Sequence, residues 1–183
     1  MLALAGLSGC VTTTAVVPQS APVTVKIIGI NDFHGNISKP RYSVEAPGAN
    51  ANAGAGAEGS TVRVPTGGAA FLASAIDELR AGNANHLVVS AGDMIGASPL
   101  NSSLYLDEPA IGVMNRIGVD VAAVGNHEFD RGRDELLRMK HGGCAAFTRR
   151  TPCAIEPDFK GASFEMLAAN VIKENGATLF PAS

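Results

Sequence analysis

The chain repeats one pattern three times: a short apolar segment stops abruptly at a cluster of polar residues. The three segments cover residues 23–30, 87–91 and 119–124. The β-branched segment 23–30 is typical of a strand buried on at least one face, and the continuous apolar run 87–91 predicts a strand covered on both faces. Such strands need other elements to cover them, because their apolar side chains must leave water.

Helical periodicity fills the intervals between these segments. Residues 68–81 predict a helix that packs on a sheet through one apolar stripe, formed by Leu72, Ala75, Ile76 and Leu79. Further helices are expected over residues 110–117 and 130–140, and a fourth strand over residues 166–172. This alternation indicates βαβαβ units with parallel pairing and right-handed crossovers, so the predicted class is α/β: a mainly parallel sheet with flanking helices.

Composition excludes several classes of protein. The 14 Lys and Arg residues face 17 Asp and Glu residues, a formal charge of −3, so we expect no basic surface and no nucleic-acid partner. A hydrophobic content of 46% with 17% charged residues excludes wholesale disorder. No apolar run approaches the ~18 residues of a membrane-spanning helix. Residues 46–61 are of low complexity, which predicts a flexible surface insertion without a role.

The N-terminus indicates export. A small apolar stretch ends at Cys10 in a Leu-Ser-Gly-Cys sequence that resembles the lipobox of bacterial lipoproteins, whose cysteine becomes lipidated. Residues 1–10 are expected to be a clipped signal peptide, since the usual positive region is missing, and residues 11–22 a tether to a domain over residues 23–183. The protein would then be a membrane-anchored lipoprotein of the periplasm or cell surface. The alternative is a frayed apolar tail with an incidental cysteine.

Two cysteines remain once Cys10 is assigned to the anchor. Cys144 and Cys153 form an even pair in an exported protein, which favours a disulfide. A closed loop of about ten residues contributes ~3 kcal/mol or slightly less in the loop-entropy account. His141 near Cys144 leaves a metal site as an alternative, although two thiols and one imidazole match no closed zinc pattern.

Polar side chains with metal-binding chemistry follow the ends of three successive strands. Asp32 and His34 follow the first, Asp93 the second, and Asn126 and His127 the third. Each cluster alone has an ordinary explanation as a turn or a helix cap. Ligands of open α/β sheets bind outside the carboxyl ends of the strands, so the clusters are expected to converge. Carboxylate, imidazole and amide oxygen together suit divalent ions such as Mn²⁺, Mg²⁺ or Zn²⁺.

Five motifs in a fixed order carry a family resemblance. They are Ile-Asn-Asp-Phe-His-Gly-Asn (30–36), Gly-Gly-Ala-Ala (67–70), Ser-Ala-Gly-Asp (90–93), Ala-Val-Gly-Asn-His-Glu-Phe-Asp (123–130) and Leu-Ala-Ala-Asn-Val (167–171). With them the chain resembles the calcineurin-like metallophosphoesterases, and more closely the catalytic domain of the secreted 5′-nucleotidase, UDP-sugar hydrolase and cyclic phosphodiesterase family. Gly-Asn-His-Glu-Phe-Asp is specific to the nucleotidase branch.

The resemblance implies a site with two divalent metal ions, of the kinds Mn, Zn, Mg or Co. Asp32 and His34 would bind the first metal, Asp93 would bridge both, and Asn126 would bind the second and contact the substrate. His127 would not be a ligand; it would face the substrate phosphate as a transition-state stabiliser or general acid. Asp130 would hold the His127 ring in the needed tautomer, or would otherwise be a helix-start charge.

The resemblance also implies histidines that this chain does not supply. His86 is expected ~20 Å from Asp93, at the wrong edge of the sheet, and no spacing argument brings His141 to the metals. The expectation is therefore a partial metallophosphoesterase sandwich, truncated before its second half, from a split or shortened reading frame. A C-terminal half of the same enzyme would be its missing partner.

The expected function is hydrolysis of nucleotides outside the cytoplasm, as part of nucleotide catabolism, with the fragment alone weakly active or inactive. UDP-sugars and 2′,3′-cyclic nucleotides are alternative substrates of the same kind of metal centre. A noncatalytic metal-binding surface lipoprotein is the alternative from another class.

Overall fold

Four short parallel strands form the sheet that carries the polar clusters. A computed structural model of the chain describes residues 21–39, 43–47 and 61–182. The predicted signal peptide with Cys10, the tether up to residue 20 and residues 48–60 of the predicted insertion lie outside the described residues.

The sheet has the order β1-β4-β5-β6, and every neighbouring pair is parallel. Its strands are β1 (Lys26–Ile30), β4 (His86–Ser90), β5 (Val121–Ala123) and β6 (Glu165–Leu167). The predicted α/β class with a mainly parallel sheet is confirmed. The fourth strand is shorter than residues 166–172, because the chain turns back after β6 and forms only a single bridge between Ile172 and Thr178.

Helices connect the strands. They are α1 (Ala69–Arg80), α2 (Leu100–Ser103), α3 (Glu108–Ile117), a 3-10 helix (His127–Phe129) and α4 (Arg133–His141). The helix predicted over residues 130–140 begins later than expected. Gly132, at φ 86° and ψ 166°, is not helical and separates the 3-10 helix from α4.

A hairpin also forms where the sequence predicts only an insertion. Strands β2 (Ser43–Pro47) and β3 (Thr61–Pro65) pair antiparallel, with Val44 opposite Val64. The predicted insertion therefore begins and ends inside strands. The small residues of the insertion give no strand pattern, and the valines that do, Val44, Val62 and Val64, lie just outside it.

The helices pack on one face of the sheet. Successive strands contribute Ile28, Val88, Ala122 and Met166 to one core cluster that also contains buried residues of α1, α3 and α4. Each of the larger side chains, Ile28, Val88 and Met166, contributes ~1.5–3 kcal/mol when fully buried. Helix α1 faces this core through Ala69, Leu72, Ala73 and Ile76, whereas the predicted stripe residue Leu79 is 49% exposed.

The opposite face of the sheet is apolar and exposed among the described residues. Ile27 on β1 is 67% exposed, and its register partner Leu87 on β4 is 43% exposed. The prediction that strand 87–91 is covered on both faces was therefore wrong for the described part of the chain. Its continuous apolar run reflects two apolar faces, of which the helices cover one. None of the described helices is long and apolar enough to cross a membrane.

Candidate metal centre

The loops that leave β1 and β4 are hydrogen-bonded to each other beyond the end of the sheet. Backbone N–H groups of Asp32 and His34 donate to the carbonyls of Gly92 (3.2 Å) and Asp93 (3.0 Å). Backbone hydrogen bonding thus continues between the two loops after strand pairing has ended. Because the pairing is parallel, it brings Asp32, His34 and Asp93 to one edge of the sheet, as the sequence predicts.

Three side chains converge at this edge. Ligand atoms of His34, Asp93 and His127 all lie within 4.8 Å of one another. The His34 and His127 rings stand edge-on, with centroids 4.9 Å apart and an interplanar angle of 83°. Asp32 Oδ1 lies 3.7 Å from His34 Nε2, at the side of this group.

Several of these residues adopt a left-handed backbone conformation. Asp32, His34 and Asp93 have φ values of 50°, 45° and 53°. This conformation costs a non-glycine residue about 1–3 kcal/mol and persists only where its surroundings hold it. The cost is therefore concentrated in the residues that carry the polar side chains.

His34 is held with one ring nitrogen free. Its Nδ1 lies 2.9 Å from the carbonyl oxygen of Gly96. A carbonyl only accepts hydrogen bonds, so Nδ1 carries a proton, and in the neutral imidazole Nε2 then keeps its lone pair. A neutral imidazole supported in this way by a carbonyl is the form in which histidine binds metals.

His127 is held by a carboxylate instead. Its Nδ1 lies 2.9 Å from Asp130 Oδ2, which also accepts the backbone N–H of Ala97 at 3.1 Å. The hydrogen bond that His127 donates to Asp130 raises the pKa of His127, and the same bond lowers the pKa of Asp130. The short 3-10 helix sets this i, i+3 pair.

The buried carboxylate of Glu128 joins two of the loops, and sequence reasoning missed it. Glu128 accepts backbone N–H groups from Asp93 (2.9 Å), Met94 (2.8 Å) and Gly125 (2.7 Å), with Ile95 at 3.4 Å. Burial raises its pKa, while these donors act in the opposite direction. Its position inside the Gly-Asn-His-Glu motif is the signal that the sequence offers for it.

Glycines allow the loops after β4 and β5 to touch. A Cβ at Gly125 would overlap the Asp93 carboxylate, and one at Gly92 would lie 2.8 Å from the Gly125 nitrogen. The backbone N–H of His127 also donates to Asp93 Oδ1 at 3.1 Å. The Asp93 side chain therefore sits against the backbone of the next loop, which leaves its other oxygen for a ligand.

Asn126, His86 and His141 are not among the three converging side chains. Asn126 is exposed and directly precedes the 3-10 helix. The sequence predicts that His86 and His141 do not reach the metal site. In the structure His86 begins β4 and is bonded through Nδ1 to the Asn83 carbonyl, and His141 is exposed at the end of α4.

Cys144 and Cys153 are joined in a disulfide, with Cα atoms 5.5 Å apart. The loop that it closes is tied to the core, because the N–H of Cys153 donates to Glu108 at 2.8 Å. Glu108 and Glu135 both pair with Arg138, whose side chain is 1% exposed. This ionic cluster joins α3, α4 and the disulfide loop.

The donor set fits a divalent ion of hard to borderline character. It contains a bare imidazole nitrogen on His34, a carboxylate on Asp93 and a further imidazole on His127, with Asp32 beside them. The sequence-based expectation kept His127 out of the ligand set. The geometry places its ring among the possible ligands as well as beside Asp130.

Comparison with known proteins agrees with the arrangement of these loops. The profile of the calcineurin-like phosphoesterase family matches residues 25–153. An uncharacterized protein from the pqq-V 5′ region of Acinetobacter calcoaceticus is 52% identical over 99% of this chain and 89% of its own length.

Longer relatives match over a small part of their length. Endonuclease YhcR of Bacillus subtilis is 38% identical over 90% of this chain and 12% of its own. The 5′-nucleotidase of Vibrio vulnificus is 30% identical over 98% of this chain and 26% of its own.

A solved structure agrees with these matches. The NAD nucleotidase of Haemophilus influenzae superimposes with a TM-score of 0.56 and 25% identity, over 83% of this chain and 22% of its own. The five motifs, the parallel sheet that brings them together and the profile match lead to one conclusion: this chain belongs to the calcineurin-like phosphoesterase family.

Proposed function

We propose that this chain is a metal-dependent phosphoester hydrolase of the 5′-nucleotidase type, or the metal-binding portion of one. The observation that carries the proposal is the convergence of His34, Asp93 and His127 within 4.8 Å at the carboxyl ends of three strands. The matches to a 5′-nucleotidase and to an NAD nucleotidase support nucleotides as the substrate class.

Two divalent ions are proposed as cofactors. Asp32 and His34 would hold one, Asp93 would bridge, and Asn126 would hold the other. When bound, such a pair activates a water and neutralises phosphoryl oxygens. The free Nε2 of His34 and the second oxygen of Asp93 support these assignments.

His127 is proposed to act on the substrate phosphate. Asp130 holds its Nδ1–H, so Nε2 is the atom that can face a phosphoryl oxygen. The raised pKa keeps a proton on this ring to higher pH, which suits hydrogen bonding to developing negative charge or donation to a leaving oxygen. Asp130 orients the ring and does not itself touch substrate.

Metal binding and phosphate release test these roles together. We expect the purified 183-residue protein to bind Mn²⁺ in isothermal titration and to release phosphate from AMP more than tenfold more slowly than a full-length relative. Asp93→Asn is expected to remove both, whereas His127→Ala is expected to keep the Mn²⁺ stoichiometry and lower the rate by ~10²-fold or more. Loss of Mn²⁺ from His127→Ala would instead make His127 a ligand.

Other phosphoesters are separate outcomes of the same assay. UDP-glucose and 2′,3′-cyclic AMP test the alternatives from the family resemblance. A single-stranded DNA oligonucleotide tests the chemistry named by the YhcR match, which the net charge of −3 disfavours. Mn²⁺ binding with no turnover on any of these would favour a noncatalytic metal-binding lipoprotein.

A further polypeptide layer is proposed over the exposed face of the sheet. Ile27, Leu87 and Val25 expose apolar surface there, and the structural match covers only 22% of the NAD nucleotidase. A C-terminal half of the same enzyme is the proposed occupant, and it would complete the site. Turnover by the 183-residue chain within about tenfold of a full-length relative would overturn this part of the proposal.

Export and anchoring through Cys10 are proposed from the lipobox-like sequence. Expression in a bacterial host with a complete signal peptide in front of Cys10 should give a membrane-bound form with lipid mass on Cys10, and Cys10→Ala should move the protein to the soluble fraction. Membrane association that persists in Cys10→Ala would contradict the anchor.

A further inference from the structure

Both histidines of the candidate metal centre depend on one short piece of backbone. The Gly96 carbonyl accepts from His34 Nδ1, and the N–H of the next residue, Ala97, donates to Asp130, which holds His127. Gly96 has φ 78°, and a Cβ there would overlap the His127 carbonyl. A movement of this backbone would therefore displace both rings.

Asp107 anchors that backbone from outside the site. Its side chain is 0% exposed, and Oδ2 accepts the N–H of Gly96 at 3.2 Å. Oδ1 accepts the hydroxyl of Ser102 at 2.6 Å. Burial acts to raise the pKa of Asp107, but hydrogen bonds from Ser102 and Arg131 outweigh it and lower the pKa. The group is thus held as a carboxylate.

The same carboxylate reaches the second histidine loop. Arg131, the neighbour of Asp130, donates to Asp107 Oδ2 at 2.5 Å. Asp107 Oδ2 therefore accepts from two residues. One is Gly96, whose carbonyl holds His34, and the other is Arg131, which directly follows Asp130, the partner of His127. An aspartate before a helix usually caps it, but Asp107 makes no side-chain cap bond to α3 and has φ 65°. The Asp107 side chain is therefore bonded to the loops of the candidate metal centre and not to the N-terminus of α3.

We propose that Asp107 is a positioning residue for both imidazoles. Through Gly96 it keeps His34 in the Nδ1–H form with Nε2 free, and through Arg131 it keeps Asp130 against His127. The proposal rests on the proposed function in one respect only, namely that the histidines so held serve a metal site.

Imidazole tautomers in the metal-free protein provide a readout that a general loss of stability would not move selectively. Long-range ¹⁵N–¹H spectra resolve the ring nitrogens of the four histidines. In Asp107→Ala we expect the Nδ1–H signature of His34 to weaken and the His127 signals to shift, with His86 and His141 unchanged. Wild-type signals for His34 and His127 would overturn the proposal.

Two further variants separate the two connections of Asp107, through Gly96 to His34 and through Arg131 to His127. Arg131→Gln should alter His127 and leave His34 unchanged. Asp107→Asn keeps an oxygen for Gly96 but loses the charge that pairs with Arg131, so it should also spare His34 and alter His127. If Asp107→Ala does not fold, these two variants decide the question: an unchanged His127 in both would overturn the proposal.

Glu108→Gln is the matched control. Glu108 is the next residue, is also buried and is also ion-paired, but its partner Arg138 otherwise donates to Glu135 and to the Gly143 carbonyl. The control should lower stability without changing the tautomers. Equal tautomer changes in Glu108→Gln and Asp107→Ala would reduce Asp107 to a structural residue and overturn the proposal.

Mn²⁺ titration links positioning to the site. Asp107→Ala should weaken Mn²⁺ binding by about tenfold or more, and Glu108→Gln should not. If the wild-type protein binds no Mn²⁺, the proposed function fails, while the tautomer spectra still test Asp107. Tautomer changes without any change in Mn²⁺ affinity would overturn the link to metal binding.

Discussion

The Glu128 carboxylate accepts the backbone N–H of Asp93 at 2.9 Å, although the two residues are 35 positions apart. Asp93 bears the carboxylate at the centre of the site, and Glu128 follows His127 directly. The loops after β4 and β5 are therefore joined by a buried side chain where strand pairing has ended. Several consequences of this and of the neighbouring contacts are open to measurement.

Glu128→Gln should weaken both the fold and the site. The amide NH₂ would face backbone N–H donors, and each donor left without an acceptor in the interior costs about 1–3 kcal/mol. We expect a loss of that size in urea unfolding, together with weaker Mn²⁺ binding. Asp77→Asn, which alters only an exposed pair with Arg80, should change neither quantity.

Gly96→Ala and Gly82→Ala form a matched pair. Both glycines have positive φ, at 78° and 83°, but only Gly96 lies against other atoms, with Asp130 Oδ2 2.7 Å from the added Cβ. Gly82→Ala should cost about 1–2 kcal/mol of unfolding free energy for its backbone conformation. Gly96→Ala should cost about 1–3 kcal/mol more, because the contact must be relieved. Equal losses would mean that the close approach at Gly96 is not present in solution.

Arg138→Met should strongly lower the stability of the fold. It would leave the carboxylates of Glu108 and Glu135 buried without their cation, which costs about 3–5 kcal/mol when one partner of a buried pair is removed. Arg133→Met removes an exposed pair with Asp134 and should cost less than about 1 kcal/mol. Thermal unfolding of the two variants gives the comparison.

Loss of the disulfide should lower stability without moving the histidines. The bond joins cysteines nine positions apart, a loop length that corresponds to ~2.7 kcal/mol in the loop-entropy account. The double variant Cys144→Ser, Cys153→Ser should unfold at lower urea concentration and keep the wild-type imidazole spectrum. Altered His34 signals would show that the loop influences the site through Glu108 and α3.

Acid should remove the contribution of Asp107 to stability. Because the folded pKa lies below the usual value of 3.8, this contribution is fully present above that pH and is lost as the pH falls through the folded pKa. Ser98, Ser102, Arg131 and the Gly96 N–H face this carboxylate. The difference in unfolding free energy between wild type and Asp107→Asn should be constant near neutral pH and shrink in acid. A difference that grows in acid would contradict the lowered pKa.

Much of the fold was predictable because its signals are local. The helical periodicity of α1, the runs that form β1, β4 and β5, and the alternation that implies parallel pairing all depend on neighbours in the sequence. Within α1 only Leu72 and Ile76 of the predicted stripe face the core, because Ala75 and Leu79 are exposed. The same reasoning predicted that both faces of strand 87–91 are covered, which was wrong for the described part of the chain. A hydrophobic run reports what a strand could bury, and only packing decides what covers Leu87.

The sequence by itself determined the residue types at the strand ends, and therefore that Asp32, His34, Asp93 and His127 would meet. Only the tertiary structure decided how they are held. Asp107, Gly96 and Glu128 act through hydrogen bonds between residues 11 to 62 positions apart, which leave no periodic signal in the chain. Buried carboxylates find backbone donors wherever folding brings them, so their partners become visible only when the loops have closed around them.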